Sequence, residues 1–118
     1  MRLYDTLARF ADLIHTYDVV QYESVGLHTR LKLTIVFTNG TVLHVRDILL
    51  DGQQRKYALH WQDAAGRLIA RWDNAAHWPQ VATYPHHKHL GETAHVVASE
   101  ATTLDEVLTV LRENMSAG

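Results

Sequence analysis

The sequence predicts an α+β domain, an antiparallel β-meander of four to five strands with N- and C-terminal amphipathic helices packed on one face. Three observations carry this. Apolar residues recur at helical spacing at both ends of the chain. They alternate with polar residues at period two through its middle. The alternating runs are joined by turns short enough to link only antiparallel neighbours. The 118 residues fit a single domain, 1–118, long enough to bury a core.

Leu3, Leu7, Phe10 and Ile14 fall on one helical stripe, which predicts a helix over 2–15. A short strand fits residues 19–25. Leu31, Leu33, Ile35 and Phe37 alternate with Arg30, Lys32 and Thr34, as in a strand with one buried face. Asn39-Gly40 is a hairpin signal, because both residue types tolerate positive φ, and a strand over 41–50 follows. Tyr57, Leu59 and Trp61 form the next buried face, with Ala58, His60 and Gln62 opposite. Gly66 marks another turn, and Arg67–Asp73 reads as the last strand. Residues 74–94, with Pro79 and Pro85, read as a long ordered loop of the kind that usually carries function. Thr103-Leu104-Asp105-Glu106 fits a capping box, and Leu104, Val107, Val110 and Leu111 continue it as a second amphipathic helix.

Composition narrows the function. With no cysteine, a disulfide framework and a thiolate metal site are both excluded. No apolar run approaches the roughly 18–20 residues of a membrane span, and Asp5, Arg9 and Asp12 interrupt any signal-peptide core. A cytoplasmic protein is expected. The formal charge of −2 counts against a nucleic-acid binder. Its distribution does not: residues 55–95 hold Arg55, Lys56, Arg67, Arg71 and Lys88 against Asp63, Asp73 and Glu92, together with six of the nine histidines.

Three clusters can carry chemistry. His60 lies opposite Tyr57, Leu59 and Trp61 by alternation, a position that a solvent-facing strand histidine also fills. Arg71, Trp72, Asp73 and Asn74 end a strand, with Arg71 and Asp73 on one face; a surface ion pair and a turn account for them equally. His77 and the run Pro85-His86-His87-Lys88-His89 are harder to explain by packing, since each buried imidazole needs a partner. The run suits acid–base chemistry with a cation for phosphate, or a metal site through His86-x-x-His89 or His87-x-His89; a solvated polar tip is the plain alternative.

These same segments, Tyr57–Asp63, Gly66–Ile69, Arg71–His77 and Tyr84–His89, resemble the TumE-type toxin family of prokaryotic toxin–antitoxin modules. The family pattern is an aromatic–His–aromatic strand, an Arg-aromatic-Asp-Asn strand end, a His, and a Pro-His-His-Lys-His segment. Ala76 stands where members often carry Pro, and Trp78 where another His is common, so a second chelating His is missing there. The resemblance implies a type II toxin neutralised by a cognate antitoxin protein, and growth arrest through RNA. The expected chemistry is a metal-independent endoribonuclease without cofactors. Two of His60, His77, His86, His87 and His89 would act as base and acid. Arg71 and Lys88 would hold the phosphate, and Asp73 would orient an imidazole or pair with Arg71. Asn74, Trp78 and Tyr84 would contact substrate. The alternatives are a non-catalytic protein that sequesters a protein or nucleic-acid partner, and a His/Asp metal-dependent hydrolase. A homodimer is left open.

Overall fold

A computed structural model describes residues 2–93 and 95–117. The chain runs α1 (Leu3–Arg9), β1 (Ile14–Val25), β2 (His28–Phe37), β3 (Val42–Leu50), β4 (Gln54–Gln62), β5 (Leu68–Asp73), β6 (His87–Leu90), β7 (Val96–Ala98) and α2 (Leu104–Ala117). The seven strands among the described residues form one sheet in sequence order, each antiparallel to the next. The α+β class and the meander are as expected; the four to five strands become seven.

The two additional strands, β6 and β7, both lie at the C-terminal end of the predicted sheet, and at its N-terminal end the strand expected over 19–25 is lengthened to Ile14–Val25. The N-terminal helix is shorter than 2–15. It ends at Arg9, a tight turn follows in which Leu13 N–H donates to the Phe10 carbonyl, and Ile14 opens β1 instead of closing a helical stripe. At the other end, the segment expected as a loop contains β6, which pairs with β5 from Ala70↔Leu90 to Asp73↔His87.

Alternation gives the sheet one apolar face. Leu33 faces Val45 and Ile35 faces Leu43 across β2–β3; Val45 then faces Leu59, and Leu59 faces Trp72. Leu3, Leu7 and Phe10 of α1 and Leu104, Val107, Leu108 and Leu111 of α2 join these residues in one buried cluster. The capping box is present: Glu106 N–H donates to Thr103 Oγ1, and Thr103 N–H donates back to the Glu106 carboxylate, each at 3.2 Å. Arg9–Asp105 and Arg112–Asp12 ion pairs tie the two helical ends together.

The β2–β3 and β4–β5 turns use the same device. In each, the glycine that closes the turn, Gly40 or Gly66, takes a positive φ (85° and 86°). At Asn39-Gly40 only the glycine is left-handed, so the turn is a three-residue loop with a glycine bulge rather than a two-residue hairpin. The alternate positions of β2–β6 point away from the helices. That open face carries the polar chemistry.

Candidate functional site

Two neighbouring rows of side chains cross the open face. One passes Thr34, His44, His60, Arg71 and His89, each opposite the next across a strand pair. The other passes Lys32, Arg46, Ala58, Asp73 and His87. The rows converge at the β5–β6 end, where a cleft of about 340 Å³ is lined by Arg46, Lys56, Arg71, Asp73, His77, Trp78, His87 and His89 among others. A second concavity of about 240 Å³ shares Arg46, Ala58 and Arg71 with it and extends past His60 and His44 to Lys32.

Asp73 is the centre of the cleft. Its carboxylate is buried, and Oδ1 lies 2.9 Å from His87 Nε2 while Oδ2 lies 3.3 Å from His89 Nε2. The two imidazole nitrogens are 3.1 Å apart. Arg71 Nε donates to Oδ2 at 3.3 Å and the Ala75 N–H to Oδ1 at 3.0 Å, so the carboxylate is held from behind. His87 is 1% exposed, and its Nδ1 donates to the Pro85 carbonyl at 2.9 Å, since that oxygen can only accept. Trp78 walls the pair, with its ring centroid 6.3 Å from His87 and 6.1 Å from His89.

His60 sits one step along the row. Arg71 Nη1 approaches its Nδ1 at 3.3 Å. A guanidinium only donates, so Nδ1 accepts and the proton of neutral His60 lies on Nε2. Burial, then the Arg71 charge, then His44 lower the pKa of His60 below its ordinary value. Burial also lowers that of His89, against the opposing pull of Asp73. Both rings are therefore disposed to be neutral near pH 7.

The remaining sequence candidates divide between the faces. His77 is exposed at the cleft rim. Tyr84 is exposed in the loop before β6. His86 and Lys88 point the other way, as strand alternation requires beside His87 and His89. The His86 ring stacks on Tyr57, whose hydroxyl lies 2.8 Å from His86 Nδ1 and whose pKa burial raises to about 12. Lys88 Nζ lies over the Trp72 ring at 4.8 Å, and burial lowers its pKa. Lys88 therefore does not share the cleft with Arg71. Asn74 extends the β4–β5 pairing by accepting from Tyr57 N–H and donating to the Arg55 carbonyl, which commits its side chain to the fold.

Sequence reasoning missed Lys32, His44 and Arg46, whose only signal was their place on the polar side of alternating strands, and counted Lys56 only in the charge of residues 55–95. The chain has eleven Lys and Arg. Arg2, Arg9, Arg55, Arg67 and Arg112 each pair with a carboxylate away from the cleft. Among the described residues, Arg30, Lys32, Arg46, Lys56 and Lys88 make no ion pair. A molecule of net charge −2 thus gathers its uncompensated cations, Lys88 excepted, on one face.

Comparison with known proteins gives one match: a family model described as toxin TumE covers residues 3–115. No curated protein and no solved structure matches.

Proposed function

The chain belongs to the TumE toxin family, and from that premise we propose that it arrests growth by cutting RNA on the open face of its sheet. In this reading it is the toxin of a type II module, and a cognate antitoxin protein holds it inactive.

The observation that carries the proposal is the register of the open face. Like charges directly opposite each other in a sheet destabilise it. Yet Lys32 directly faces Arg46, and neither makes an ion pair among the described residues. A fold gains nothing from that pair; a polyanion laid across the open face does. The row ends at Asp73, His87 and His89, whose acceptor atoms converge where a bound phosphodiester would pass.

The chemistry follows from the ribose. Attack by the 2′-oxygen on its own phosphorus forms one P–O bond and breaks the bond to the 5′-oxygen, and the proton passes from the nucleophile to the leaving group. Asp73, His87 and His89 activate the 2′-hydroxyl. Arg71, with Arg46 beside it, offsets the charge that builds on phosphorus. The Nε2–H of His60 donates to a phosphate oxygen or to the leaving oxygen. Trp78 offers a face against which an unpaired base can rest. A base–acid pair that includes His86 is less well served, because His86 packs against Tyr57 on the opposite face from His87 and His89.

Expression in a bacterial host that lacks the antitoxin tests this. Wild-type protein should arrest growth and fragment RNA within the same interval, and His60→Ala or His87→Ala should relieve both. Arrest with intact RNA would instead support a sequestering protein. Unaffected growth would remove the toxin mechanism.

A further inference from the structure

The structure assigns to Asp73, His87 and His89 a mononuclear site for a divalent first-row transition-metal ion, of the zinc, manganese, iron or cobalt group.

The distances argue for it first. Ligand atoms held about 2.1 Å from one ion, at angles between a right angle and the tetrahedral value, lie about 3.0–3.4 Å apart. Here the two imidazole nitrogens are 3.1 Å apart, His87 Nε2 lies 2.9 Å from Asp73 Oδ1, and His89 Nε2 lies 3.3 Å from the other carboxylate oxygen, Oδ2. One ligand atom from each residue lies within 4.8 Å of the others, all belong to groups that ligate metals, and two imidazoles with one carboxylate favour such ions over calcium or magnesium.

Hydrogen-bond accounting argues for it independently. His87 spends its Nδ1–H on the Pro85 carbonyl, so a neutral ring turns a lone pair at Nε2 toward Asp73 Oδ1. His89 Nε2 faces the same carboxylate and the same lone pair. With His89 in the tautomer that leaves Nε2 unprotonated, three acceptors meet in a largely buried place and need a cation between them; in the other tautomer Nε2–H donates to Asp73, and an entering ion takes that hydrogen's place. The surroundings are those of a metal site: the far nitrogen of His87 is fixed by a carbonyl, and the carboxylate is steadied by Arg71 and the Ala75 N–H.

Strand spacing accounts for the choice of ligands. His87 and His89 are two residues apart on β6 and share a face, and Asp73 is directly opposite His87 on β5. Each ligand therefore sits on regular strand, and the third comes from a different chain segment. The departure at Trp78, which removes a histidine from the loop, leaves this triad complete. On one side the cleft stays open, so the ion keeps coordination positions for a water or a phosphate oxygen. The binding stands on the geometry alone, whereas the ion's part in RNA cleavage rests on the function proposed above.

The test is titration of chelator-stripped, full-length protein with zinc, manganese and cobalt, followed by calorimetry, with the visible absorption of cobalt reporting the ligands. One ion per chain should bind at micromolar concentration or below. His89→Ala, a partly exposed position that folding tolerates, and the isosteric Asp73→Asn should each weaken binding by at least about 100-fold, since even an outer-shell partner is worth about 10–100-fold. His86→Ala should leave it unchanged. No stoichiometric binding, or binding that survives both ligand substitutions, would overturn the site. If the ion binds as expected but the loaded protein leaves RNA intact, the site stands and the ribonuclease reading falls. If the stripped protein binds no ion and still cuts RNA, the reverse holds.

Discussion

Asp73→Asn is expected to abolish toxicity. The substitution keeps the shape of the side chain and removes the charge that Arg71, His87 and His89 all address. An amide presents one acceptor oxygen where the carboxylate presents two, and its NH2 group turns a donor toward either Arg71 Nε or the Ala75 N–H, which are themselves donors. RNA cleavage should fall by at least about 100-fold, the scale for losing a preorganised charge at a reacting centre. Stability should fall by only about 1–3 kcal/mol, the cost of an imperfectly satisfied buried group. A domain of this size ordinarily has about 5–15 kcal/mol in reserve. Circular dichroism and thermal melting should therefore report a folded variant, while growth curves and RNA integrity report an inactive one. A folded variant that still arrests growth would remove Asp73 from the mechanism.

Arg46→Glu is expected to move stability and function in opposite directions. Arg46 is exposed on β3 directly opposite Lys32, and the substitution turns a like-charge pair into an opposite-charge pair. Cross-strand pairs of this kind are worth about 0.2–1 kcal/mol, so the melting temperature should hold or rise. RNA affinity should drop roughly 10–100-fold at low salt, because one phosphate contact is lost and a repulsive charge takes its place. The plot of log affinity against log salt should become shallower by about 0.7 for the lost contact to a single strand. A filter-binding series over salt, paired with a melting curve, reads both effects. Unchanged affinity would show that RNA does not cross β3, and the two-row surface would lose its purpose.

Much of this architecture is legible in the sequence because it rests on local rules. The second helix announces itself through Thr103 and Glu106, and β2 and β4 through strict alternation of large apolar residues. β6 is concealed because His87, Lys88, His89 and Leu90 show no apolar alternation; its inward-turned residues find their partners in Trp72 and the edge of the core rather than in its middle. Treated as a loop, the His86–His89 run forms a single cluster. As a strand it splits, with His87 and His89 beside Asp73 and with His86 and Lys88 against Tyr57 and Trp72. The cation surface was hidden for another reason. Lys32, Arg46 and Arg71 lie far apart in sequence, and only strand register makes them neighbours, which no local pattern records. Net charge conceals it further, because it counts acidic residues such as Asp5, Asp12, Asp47, Asp63 and Asp105, which pair with arginines elsewhere.

His86 and His89 provide the most direct test of the central claim, that RNA is cut on the open face at the Asp73 cluster. They are close in sequence and belong to opposite faces. Purified wild-type protein, His86→Ala and His89→Ala should be compared on one single-stranded RNA under identical metal and salt. His86→Ala should retain cleavage within a few-fold of wild type, losing only its contact with Tyr57, and His89→Ala should lose at least about 100-fold. Equal loss in both variants, or loss in His86→Ala alone, would contradict the account.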